Sequence, residues 1–156
     1  MMQDPRASKT KKQQAIKFLI HFITDLHQPL HVGDTGKKGG NLIQVRFFNV
    51  GSNLHRVWDS QIIEWHSRDE GQWLRELSAL MTPKNVVEWS KRTLEDWATE
   101  SLQIAKEAYC IPGAKTVMRS GAKLGDGYCR MALPILQRQL EMAGIRVAWM
   151  LNQILR

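Results

Sequence analysis

Apolar residues first recur at helical spacing between Lys12 and Leu26. There Ala15, Ile16, Leu19, Ile20, Phe22 and Ile23 return every few positions and predict a helix. Pro29 cannot continue it without losing a backbone hydrogen bond, and it pushes Gln28 out of helical dihedrals. The helix is therefore expected to end or kink just before His31. The stretch GDTGKKGGN, residues 33–41, reads as a loop on its glycine content. LIQVRFF, residues 42–48, is the one convincing strand-like run, and NVGSN after it reads as a turn. Asn53 is suited to cap a helix running to about Trp65. Further helices are expected near 70–80, 84–109 and 121–155, with Pro83 and Pro112-Gly113 as punctuation. In the last of these, Leu136, Leu140, Ala143, Val147, Leu151 and Ile154 draw one apolar stripe. Residues 1–11 are polar and basic and read as a disordered lead-in. The pattern implies a mainly α-helical single domain over residues 1–156, with one small β-hairpin.

Composition changes this picture little. With 156 residues the chain can bury a real core. Hydrophobic residues at 43% and charged residues at 24% are ordinary for a globular chain, so the chemistry must be sought in particular residues. No apolar run is long enough to span a membrane, and the polar N-terminus lacks the apolar region of a signal peptide. A net charge of +7 favours an acidic partner such as a phosphate backbone. The tryptophans are expected in the core or in the wall of a cleft. Cys110 and Cys129 form no C-x-x-C pair; one disulfide in an exporting context and two buried thiols both remain open.

The chemistry is concentrated in HFITDLHQPLH, residues 21–31, and NLHRVWD, residues 53–59. The spacing His-x-x-x-Asp occurs twice, as His21/Asp25 and His55/Asp59, where chance predicts roughly 0.2 such pairs. Positions four apart share one helix face, so each pair can bind one metal ion. His31 joins them by position, just past a proline at a helix end that faces a loop. His27 points to a different face from Asp25 and reads as structural or as a support behind the ligands, while His66 reads as surface or core. Imidazole and carboxylate ligands without nearby cysteine suit catalytic zinc, and also manganese, iron or nickel. For such clustered metals, attack on a phosphodiester is the natural reaction. Lys37, Lys38 and Arg46 are suited either to attract phosphates or to form a solvated surface.

The joint pattern HFITDLHQPLH, GGN and NLHRVWD resembles the trinuclear-zinc, single-strand-specific nucleases typified by mung bean nuclease, the S-one/P-one family. The likeness extends through ESLQIAKEAY to the C-terminal helical run. It implies zinc-dependent hydrolysis of single-stranded DNA or RNA to 5′-phosphorylated products, on a mainly α-helical fold. By position, the resemblance makes His21 a ligand of a first buried zinc and Asp25 the bridging carboxylate of the catalytic centre. It makes His31, His55 and Asp59 the protein ligands of a third, more exposed zinc, and Asn41 a substrate contact near the scissile site. It also implies export, secreted or periplasmic. The family's remaining ligands lie upstream, and only 20 residues precede His21, none of them a histidine. The chain thus resembles the C-terminal portion of such a nuclease, and about one zinc is expected to bind well, at the His31/His55/Asp59 site. The alternatives are a hydrolase like zinc phospholipase C and a non-catalytic remnant that binds metal or nucleic acid.

Overall fold

The computed structural model describes residue 4 and residues 6–33, 36–111, 113 and 116–155. Pro112, expected as punctuation, and residues 1–3 and 5 of the expected lead-in lie outside the described residues. Helix α1 (Lys9–Leu26) begins inside the segment read as a lead-in, because the Ser8 hydroxyl accepts the Lys11 N–H at 3.3 Å and caps it. Of its residues only Ile23 is buried. Phe18 and Phe22 stack on each other at 5.9 Å while remaining mostly exposed. The chain then breaks at Gln28, as the following proline requires, and a short helix α2 (Pro29–Val32) carries His31. Gly33 closes α2 against a later helix: a Cβ there would lie 2.3 Å from Ala105 Cβ.

Strands β1 (Gln44–Phe47) and β2 (Val50–Asn53) form an antiparallel hairpin. The NVGSN stretch is therefore mostly strand rather than turn. The reversal falls earlier, at Phe48 and Asn49, which both take the positive φ that a two-residue type I′ turn demands. A third strand, β3 (Ala122–Leu124), pairs in parallel with β1 and completes the order β2-β1-β3. The sequence pattern places these residues at the start of a helix, and pairing with β1 makes them a strand instead. Strand β2 runs directly into the next helical segment, which has three parts: α3 (Leu54–Arg56), a π-helical turn (Val57–Gln61) and α4 (Ile62–His66).

Helix α5 (Glu70–Leu80) matches the sequence pattern. The helix expected over 84–109 is two helices, α6 (Pro83–Trp89) and α7 (Leu94–Ala108). Thr93 and Asp96 form a reciprocal capping box that starts α7 afresh. Helix α8 (Asp126–Ile154) ends the described chain. Its inner face is rotated from the expected stripe: Leu136 and Ala143 are buried, yet Leu140 is exposed, while Gln139, Met142, Ile145 and Arg146 are buried instead.

The core lies between the hairpin, the α3–α4 segment, α7 and the first half of α8. Leu54, Val57 and Ile62 are wholly buried there, each worth about 1.5–3 kcal/mol of transfer free energy. Tyrosine hydroxyls lock the layers: Trp58 Nε1 donates to Tyr128 Oη at 2.7 Å, which donates to the Ala108 carbonyl at 2.6 Å. Tyr109 Oη donates to the Gly33 carbonyl at 2.8 Å and fixes the end of α2. Cys110 and Cys129 are both free thiols, and burial pushes Cys129 up to about 11.

A second, polar lock attaches the end of α1 to α8. The fully buried Arg146 donates to His27 Nε2 at 2.8 Å, to Glu100 at 2.5 Å and to the Trp89 carbonyl at 3.0 Å. Because arginine only donates, His27 Nε2 must accept. Its Nδ1 therefore carries the proton and donates to the Ile23 carbonyl at 2.6 Å. Burial lowers the His27 pKa to about 4, which keeps the ring neutral as this arrangement needs.

Candidate metal centre

The hairpin determines where His55 and Asp59 stand. Strand β2 ends at Asn53, whose side chain accepts the Arg56 N–H at 2.9 Å and starts the helical segment. His55 follows within the first turn. The glycine loop folds back on it, so that the Gly39 carbonyl lies 2.8 Å from His55 Nδ1. Gly39 sits at φ +58°, where a Cβ would lie 2.5 Å from the Leu30 carbonyl, so only glycine fits without strain. Asp59 lies in the π-helical turn, marked by the Ile62 N–H reaching back to the Val57 carbonyl. Turns of this type occur frequently at functional sites.

Across from this pair, α2 presents His31. Its ring stacks on that of His55 with centroids 5.0 Å apart. His31 Nε2 lies 3.3 Å from Asp59 Oδ1, and His55 Nε2 lies 3.1 Å from Asp59 Oδ2. One ligand atom from each of His31, His55 and Asp59 falls within 4.8 Å of the others. On the other side of His31, its Nδ1 is 3.4 Å from Asp25 Oδ2, and Asp25 Oδ2 is 3.6 Å from His21 Nε2. The five sequence-predicted histidines and aspartates thus form one continuous row, from exposed His21 to half-buried His55.

The inner end of this row has the donor chemistry of a cation site. His55 donates from Nδ1 to a carbonyl, so in its neutral form Nε2 is a bare lone pair facing a carboxylate oxygen. Two acceptors at that range repel unless a proton or a metal ion lies between them. His31 has a carboxylate against each ring nitrogen and only one proton to offer when neutral. The spacings also suit a metal: ligand bonds of about 2.0–2.1 Å in a tetrahedron place neighbouring donor atoms about 3.3 Å apart. The two imidazole-to-carboxylate distances here, one to each oxygen of Asp59, measure 3.1 and 3.3 Å, close to that value. A set of two imidazoles and one carboxylate with a side left open fits zinc.

The other polar residues divide differently. His27 has both ring nitrogens engaged inside the core and is not available to a metal. His66 is paired with Glu76 at 2.6 Å, a partner ten positions away in sequence that helical spacing does not reveal. Asn41 is exposed, and its side-chain amide donates to the Lys38 carbonyl at 2.9 Å, bracing the loop that carries Gly39. Arg46 donates to the Asn49 carbonyl across the hairpin turn. The residue that sequence reasoning passed over is Gln28, read there only as the residue before a proline. Its Nε2 donates to Asp59 Oδ1 at 2.6 Å. A cavity of about 410 Å³ opens beside the row, bordered by Asp25, His31 and Asp59 and walled by Trp58, Leu136 and Leu140.

The family model described as S1/P1 Nuclease matches residues 1–156. The chain is 38% identical to Endonuclease 4 of Arabidopsis thaliana over 155 residues, which cover 90% of this chain and 50% of that protein. It is 36% identical to Endonuclease 3 of the same plant, over 90% of this chain and 51% of that protein. With Nuclease P1 of Penicillium citrinum the identity is 26%, over 98% of this chain and 62% of that protein. The chain spans about half the length of the plant relatives it matches. Its motifs, its mainly helical fold with a small sheet and this match together place it: the chain belongs to the S1/P1 nuclease family.

Proposed function

We propose that the protein takes part in zinc-dependent hydrolysis of phosphodiester bonds in single-stranded nucleic acid. The observation that carries this reading is the His31/His55/Asp59 set, whose ligand atoms lie within 4.8 Å of one another with each imidazole Nε2 facing one carboxylate oxygen. In this reading those residues hold the ion, and Asp25, His21 and Asn41 serve it from either side. Bound zinc supplies Lewis-acid stabilisation of the negative charge that develops on a phosphodiester oxygen. The protein's own groups prepare that site. The Gly39 carbonyl holds the proton of His55 on Nδ1 and so leaves its Nε2 free, and Asp25 Oδ2 stands 3.4 Å from His31 Nδ1 on the far side of that ring. Asn41 meets the substrate near the scissile phosphate from the loop that also positions His55. The net charge of +7 supports a polyanionic partner, and the names of the relatives support an endonuclease.

A second reading is a chain that binds metal and nucleic acid without turnover. It is favoured by the His21/Asp25 pair, which brings only two donors to a solvent-exposed face, too few to hold a second ion well. One experiment separates the readings. The zinc-loaded chain is offered heat-denatured DNA and, separately, a phosphatidylcholine emulsion, with and without a chelator. Chelator-sensitive release of 5′-phosphorylated ends from DNA supports the nuclease reading. Metal-dependent retention of uncleaved DNA supports the second, and hydrolysis of the lipid alone contradicts both.

A further inference from the structure

We infer that Gln28 is a positioning residue for the metal centre: its side-chain amide sets the Asp59 carboxylate in the orientation the two imidazoles need. The inference rests on the reading of His31, His55 and Asp59 as a zinc site. Gln28 makes two hydrogen bonds with opposite ends of its amide. Its Oε1 accepts the Leu30 N–H, which caps α2, and its Nε2 donates to Asp59 Oδ1 at 2.6 Å. The amide can be read only one way round. A backbone N–H requires the oxygen, and a carboxylate requires the NH₂ group. Flipping the amide would create two repulsive contacts at once.

The backbone supports this assignment. Pro29 forces Gln28 into an extended conformation, φ −83° and ψ 111°, at the N-cap of the helix that carries His31. The same side chain therefore ties His31's helix to Asp59, which lies 31 positions further along the chain. Asp59 needs such a tie. Its side chain is 39% exposed and sits in a π-helical turn. Among the described residues, the Gln28 amide donates a hydrogen bond to this carboxylate, while the facing imidazole nitrogens lie near it as acceptors. With Oδ1 held by Gln28, each oxygen faces one imidazole: Oδ1 toward His31 and Oδ2 toward His55. A free carboxylate would rotate, and one of those edges would open. Partners behind a metal ligand typically affect affinity by 10–100-fold.

Gln28→Asn is the informative variant, because asparagine still caps a helix but is one methylene too short to bridge both groups. The whole 156-residue chain is titrated with zinc, melted without metal, and loaded with cobalt(II) for its visible absorption spectrum. The expected result is zinc affinity about 10–100-fold weaker, an altered cobalt spectrum and an unchanged metal-free melting temperature. Unchanged affinity with a superimposable cobalt spectrum overturns the inference. So does a weakened affinity with a wild-type cobalt spectrum and a lowered metal-free melting temperature, which makes Gln28 a helix cap alone. A wild-type chain that binds no zinc overturns the site reading and this inference with it. A variant that binds as tightly as a zinc-binding wild type overturns the inference alone.

Discussion

His21 and His55 each stand four residues before an aspartate, and the two pairs reach different states. His55 lies 3.1 Å from Asp59, is mostly buried, and has its far nitrogen held by the Gly39 carbonyl. His21 lies 3.6 Å from Asp25 on a helix that buries one residue, and its side chain is 61% exposed. The same spacing produced proximity both times and a prepared ligand only once. What differs is the surroundings. The glycine loop, the Gln28 amide and the second imidazole converge on Asp59 and His55, whereas His21 is flanked by the exposed Phe22 ring. Helical spacing delivers two side chains to one face; the groups behind them decide whether they bind an ion well.

The strongest way to break the comparison acts on a buried attachment of the His21/Asp25 helix. Arg146→Met leaves His27 and Glu100 facing an apolar side chain in a buried site. Glu100 keeps Arg92 at 2.7 Å, so the groups stranded are His27 Nε2 and the Trp89 carbonyl, and the change should cost about 1–3 kcal/mol for each in urea unfolding. A loss under about 1 kcal/mol would mean that α1 is held by something other than this lock. Next in size is the contrast itself. His55→Ala should weaken zinc binding by about 100-fold or more, while His21→Ala should change it by about threefold or less, as measured by calorimetric titration. Equal losses would erase the difference between the two pairs. The smallest effect, and the sharpest, comes from Gly39→Ala. Its added Cβ meets the Leu30 carbonyl at a positive φ and lies 3.3 Å from His55 Nδ1, so it displaces the carbonyl behind His55 and crowds that ring from behind. Zinc affinity should fall about tenfold. No change would show that His55 needs no partner behind it.

Much of this molecule was legible in its sequence, and the parts that were not share a cause. The helices α1, α5 and α8, the break at Gln28-Pro29 and the cap at Asn53 all follow from local pattern and backbone sterics. Strand β3 could not be read this way, because Ala122–Leu124 becomes a strand only by pairing with β1, almost eighty residues earlier in the chain. The break between α6 and α7 depends on Thr93 and Asp96, an ordinary-looking pair until their reciprocal bonds form. Buried Arg146 and Gln139 turned α8 away from its expected stripe, because their hydrogen bonds to α1 and α7 fix its rotation. At the site, His55 and Asp59 stand together at the spacing read from the sequence, and His31, picked out by its position after the proline, joins them. Gln28 was passed over because its second partner lies on another element, and no local rule links a pre-proline glutamine to a carboxylate 31 positions away. The π-helical turn at Asp59 was equally hidden, since five residues are too few to tell its period from that of an α-helix.

The central claim is that this chain carries one prepared metal site, at His31, His55 and Asp59, while the His21/Asp25 pair is not a site on its own. Its most direct test is a metal count. The purified chain is dialysed against dilute zinc and analysed for metal per polypeptide, alongside the His55→Ala variant. About one zinc per chain, lost in the variant, is the predicted result. Zinc absent from the wild-type chain, three ions bound to it, or an ion retained without His55 would each contradict the account.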